Sequence, residues 1–64
     1  MRVNGEEIMI EKEYTLMAFL MREGYPAERI AVEKNGKIIP KTLYDTEILD
    51  NGDRLEIVTF VGGG

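Results

Sequence analysis

The chain has 64 residues, a formal charge of −4 and no Cys, His or Trp. A domain this short buries only about 60% of its unfolded surface, so without disulfides or metal its fold rests on a small apolar core. The missing residue types exclude thiolate nucleophiles, imidazole bases and the usual zinc ligands, and a self-sufficient enzyme is not expected. Acidic residues run from Glu6 to Glu56 with no basic cluster, which disfavours a phosphate backbone as ligand and suits a basic partner. The longest apolar run, Leu16 to Met21, falls short of the ~20 residues that span a bilayer. With no signal-peptide layout at the start, a cytoplasmic location is expected.

In chain order, Met1 to Asn4 alternates, Asn4-Gly5 signals a hairpin, and Ile8-Met9-Ile10 resumes the strand pattern. Thr15 suits a helix N-cap, Leu16, Phe19 and Leu20 form one apolar stripe, and Gly24 followed by Tyr25-Pro26 ends the helix. Met17 and Met21 stand at helical spacing and read as core filler, with a flexible partner-binding stripe as the other reading. Ile30 to Glu33 alternates again, Asn35-Gly36 marks a second hairpin, and Lys37 to Ile39 makes a short strand that Pro40 confines to an edge or ends. Between Lys41 and Asp50 the periodicity is weak; Leu43, Tyr44, Ile48 and Leu49 read as anchors of a loop with one irregular turn. Asp50 to Asp53 is a turn, and Arg54 to Val61 is the clearest strand. The order β-β-α-β-β-loop-β, with the last strand central beside the first, gives a mixed sheet with one helix across one face, an α+β roll.

Period two along the last strand puts Leu55 and Ile57 toward the helix and Arg54, Glu56, Val58 and Phe60 on the opposite face. Val58 and Phe60, with Ala31 or Met9 from neighbouring strands, then read either as a docking patch or as ordinary exposed strand residues. After Val61 the sequence reads Gly62-Gly63-Gly64. Three glycines extend ~10 Å when straight, and without Cβ atoms they fit a channel that any side chain would block. A carboxylate on Gly64 is inert to acyl transfer until activated, so an ATP-dependent partner must first form an acyl-adenylate. A frayed end is the competing account of the tail. Glu6, Glu7, Glu11 and Glu13 read as solvated surface, and Asp50 to Asp53 lacks the ligands of a calcium loop.

Taken together, Val3-Asn4-Gly5, Thr15 before a helix containing Leu20, Ile30 to Gly36 with Pro40 after it, Asn51 to Val58, and Val61-Gly62-Gly63-Gly64 resemble the ThiS family of ubiquitin-like β-grasp sulfur carriers of thiamin biosynthesis. The resemblance implies a β-grasp domain over residues 1–61 and a glycine tail over residues 62–64. It implies that an E1-like, ThiF-type enzyme uses ATP and magnesium to adenylate Gly64. A sulfur donor fed by a cysteine desulfurase or a related route then yields a thiocarboxylate, and a ThiG-type thiazole synthase takes the sulfur. The carrier is expected to bind no cofactor and to catalyse nothing, with Gly62 and Gly63 carrying the reactive end and Val58, Phe60, Val61 and Ala31 meeting the partner. The small subunit of molybdopterin synthase, with the same chemistry, is the second reading, and a ubiquitin-like modifier of lysines the third.

Overall fold

The computed structural model describes residues 1–60. Its elements are β1 (Arg2–Val3), β2 (Glu6–Glu7), β3 (Tyr14–Thr15), α1 (Leu16–Glu23), β4 (Ile30–Lys34), β5 (Lys37–Ile38), β6 (Ile48–Leu49) and β7 (Arg54–Thr59), with 3-10 turns at Ala27–Arg29 and Lys41–Leu43. Two Asn-Gly pairs set the register. Asn4 and Asn35 stand at φ 50° and 53° and the glycines after them at 86°, the left-handed backbone a two-residue hairpin turn demands. Val3 therefore faces Glu6, and Lys34 faces Lys37. Each turn asparagine also serves the central strand: Asn4 Oδ1 accepts the Ile57 N–H at 2.7 Å, and Asn35 Oδ1 accepts the Arg54 N–H at 2.9 Å.

The five-stranded sheet runs β2-β1-β7-β4-β5, with β1 and β7 parallel and every other pairing antiparallel. The last strand is thus central beside the first, as its apolar character predicts. One helix lies across one face. Thr15 Oγ1 accepts the Ala18 N–H at 3.1 Å to begin it, and Gly24 ends it at φ 82°, its N–H directed to the carbonyls of Leu20 and Met21. Leu16, Phe19 and Leu20 are fully buried with Ile30, Val32 and Leu55. A helix of two turns does not persist alone; burying each such side chain stabilises the assembly by ~1.5–3 kcal/mol.

The structure corrects four expectations from the sequence. Ile8 to Ile10 forms no strand; the short turn places Glu6-Glu7 in the ladder instead. Ile8 donates to the Met1 carbonyl at 2.7 Å, and beyond it Ile10 turns into the core with its N–H and carbonyl both held by the Asn51 amide, at 3.0 and 2.9 Å. Met21 is not core filler: it is 73% exposed while Met17 packs at the core's margin. At roughly 100° per residue Met21 lies far around the helix from the Leu16-Phe19-Leu20 stripe. The segment Lys41 to Asp50 is more ordered than a loop, because β6 pairs with β3, Tyr14 opposite Leu49 and Thr15 opposite Ile48. Of its expected anchors Tyr44 and Leu49 are buried, whereas Leu43 and Ile48 are exposed. Finally, β7 ends at Thr59, two residues before the expected limit at Val61, which lies outside the described residues.

Candidate functional site

Alternation along β7 divides its side chains cleanly. Leu55 and Ile57 are buried under the helix, and Glu56 and Val58 are exposed on the open face. The antiparallel register sets Ala31 of β4 directly opposite Val58, so the two form one apolar spot, half-buried at Ala31 and 60% exposed at Val58. Phe60 follows just past the strand, 53% exposed. Its N–H donates to the Arg29 carbonyl at 2.7 Å, and the Lys41 ammonium stands 5.8 Å from its ring centroid. Lys41 is itself held by donating to the Glu28 carbonyl at 2.8 Å. The backbone leading toward the tail is thereby fixed up to Phe60. Val61, Gly62, Gly63 and Gly64, the remaining expected site residues, lie outside the described residues.

Met9 does not join this patch. It lines a cleft with Glu11, Lys12, Tyr14 and Arg22, where the Arg22 guanidinium donates to the Tyr14 hydroxyl at 2.6 Å. Among the described residues no group of carboxylates is arranged to hold a metal ion, and no helix is long and apolar enough to cross a membrane. Glu6, Glu7, Glu11 and Glu13 are all exposed.

One polar cluster escapes sequence reasoning. Lys34 reaches under the sheet's end, donating to Glu47 Oε2 and to the Ile48 carbonyl at 2.7 Å each, with the Asp53 carboxylate 3.7 Å away. The hydrogen bond to Glu47 raises the Lys34 ammonium above its ordinary value, against the opposing pull of burial. Burial alone would push Asp53 up, but hydrogen bonds from Asn35 and the Asp50 N–H, together with the Lys34 charge, outweigh it and hold the carboxyl low. The cluster ties β6 and the 50–53 turn to β4, and so steadies the start of β7. The turn residues Asn51 and Asp53 were visible as turn formers, but nothing local announces that Lys34 meets Glu47. Burial also raises the Tyr44 phenol, partly offset by a backbone hydrogen bond at Val32.

Comparison with known proteins places this arrangement. The ThiS family model matches residues 1–64. A thiazole synthase of Paramagnetospirillum magneticum is 42% identical over 97% of this chain, which spans 19% of that protein's length. An uncharacterized protein, ycf40, of Pyropia yezoensis is 38% identical over 98% of this chain and 89% of its own. The crystal structure of the thiamine biosynthesis protein ThiS from Geobacter metallireducens superposes with a TM-score of 0.84 at 27% identity, covering 98% of this chain and 96% of that one. The chain belongs to the ThiS family.

Proposed function

We propose that Gly64 is the reactive end of the carrier, and that thiazole synthase is the enzyme to which it delivers sulfur. In the first step a Gly64 carboxylate oxygen attacks the α-phosphorus of ATP on a ThiF-type partner, and pyrophosphate leaves. Hydrosulfide supplied by a donor then attacks the acyl carbon, AMP leaves with the carbon–oxygen electron pair, and loss of the S–H proton leaves a thiocarboxylate. The carrier contributes a bare chain end and a docking face; ATP, magnesium and the catalytic groups belong to the partner. Such division of labour suits a chain with no Cys or His.

The observation that carries this reading is the 42% identity, over nearly the whole chain, to part of a thiazole synthase. It also favours the thiazole pathway over the molybdopterin one. The family match extends through Gly63 and Gly64, and the exposed Val58 and the anchored Phe60 precede them in the sequence. The test is a chain lacking Gly63 and Gly64. Its thermal unfolding should match that of the full chain, while ATP–pyrophosphate exchange by the adenylating enzyme should vanish. Exchange that persists with the shortened chain would refute the assignment of the tail.

A further inference from the structure

The strand register sorts the lysines by their distance from the end of β7. The chain has four, and Lys12 lines the cleft with Met9 and Tyr14. Lys34 stands opposite Leu55, and Lys37 opposite Lys34, so both lie about 17 Å back along the sheet from Phe60. The Lys34 ammonium is also engaged, by Glu47 and the Ile48 carbonyl. Lys41 is placed differently. It is exposed, and its ammonium lies 5.8 Å from the Phe60 ring centroid. Two successive carbonyls explain the approach: that of Glu28 accepts from Lys41 at 2.8 Å, and that of Arg29 accepts the Phe60 N–H at 2.7 Å. The amine and the backbone from which the tail departs are thus pinned to adjacent peptide units. Four residues, Val61 to Gly64, follow Phe60, and a chain of that length spans up to ~14 Å, enough to return to the amine.

We propose that Lys41 is an internal acyl acceptor, a modification site that competes with sulfur for the activated carboxyl of Gly64. The proposal rests on the tail chemistry given above. After the ammonium gives a proton to water, the Lys41 Nζ lone pair attacks the Gly64 acyl carbon. A carbon–nitrogen bond forms, and AMP leaves with the carbon–oxygen electron pair. The product is an isopeptide ring in which Gly64 has no carboxyl left to receive sulfur. Tethering drives the step: a short flexible linker gives an effective concentration in the millimolar range, and with no Cys the chain offers no thiol of its own in competition. Glycine adopts positive and negative φ about equally, so a tail of three glycines folds back at little steric cost. An adenylate that leaves its enzyme before sulfur arrives is closed off in this way instead of acylating other proteins. Sulfur supply then decides which fate the chain takes.

The experiment separates reach from activation. Released from an intein fusion by a small thiol, the full chain carries Gly64 as a thioester. In mildly alkaline buffer, intact mass should then show a product lighter than the free acid by one water, stable to hydroxylamine, with peptide mapping that joins Lys41 to Gly64. Its yield should not depend on protein concentration. K41R, which keeps the charge beside Phe60, should lower the yield at least about tenfold in favour of hydrolysis, and K37R should leave it unchanged. A bond to another amine, an undiminished yield in K41R, a covalent dimer in place of the ring, or hydrolysis alone would each overturn the proposal. The second arm supplies the adenylating enzyme, ATP and magnesium without a sulfur donor. The same ring should form there and recede when the donor is added; ATP–pyrophosphate exchange without the ring would overturn the proposal too. Failure of the full chain to support exchange would instead bring down the tail chemistry itself, whatever the thioester shows.

Discussion

The two faces of β7 differ in what the fold asks of them. On one, Leu55 is fully buried and Ile57 is 7% exposed; on the other, Glu56 and Val58 stand open to solvent. On the proposed reading, neighbouring residues on one strand report on different quantities, stability on the helix side and partner binding on the open side. A small domain would thus separate folding from recognition without a second module, since period two delivers both faces from one segment.

Substitution on the buried face should give the largest effect. Leu55→Ala removes a side chain from a core with few others to compensate, and should cost about 2–5 kcal/mol. Thermal unfolding followed by circular dichroism should show a steep fall in midpoint; a small fall would place Leu55 outside the core. Next in size is the cluster that steadies the start of β7. Asp53→Asn should cost about 1 kcal/mol near neutrality through its weakened hydrogen bonds. It should also alter the acid limb. A carboxyl lowered from its ordinary 3.8 on folding stabilises the fold above that pH, and the contribution is lost as pH falls through the folded value. Urea unfolding near neutrality and below pH 3.8 should therefore show a shallower acid decline in Asp53→Asn than in the parent chain. The smallest effect on folding belongs to the open side. Phe60→Asp should shift stability by no more than about 0.5 kcal/mol yet weaken capture by the adenylating enzyme in a pull-down or titration. A large loss of thermal stability would instead make Phe60 a structural residue.

The same contrast explains what the sequence made legible. Both Asn-Gly turns, the Thr15 cap and the Gly24 stop are local signals, each a residue whose backbone or side-chain chemistry settles its own conformation, and all stand where expected. So does the alternation that assigns Leu55 and Ile57 to the core. The pairing of β3 with β6 was illegible because two-residue strands have no measurable period and their partners lie more than thirty residues apart. The strand expected at Ile8 to Ile10 fails for a similar reason: the Asn51 amide, far along the chain, takes over the Ile10 backbone groups. Met21 was misplaced by spacing from Met17, when angular distance from the Leu16-Phe19-Leu20 stripe decides burial. At the site, Val58 was readable as an open-face residue with Ala31 or Met9 beside it, but the register between β4 and β7 is needed to choose Ala31 and to set Glu33 opposite Glu56.

The central claim is that sulfur is carried on the carboxylate of Gly64. Its most direct test is intact-mass analysis of the chain made in a host with sulfur-transfer machinery, followed by mapping of the modified peptide. The account predicts a mass gain equal to one oxygen-to-sulfur exchange, located on Gly64. A chain that stays unmodified when its adenylating enzyme and sulfur donor are supplied, or one whose sulfur maps elsewhere, would contradict it.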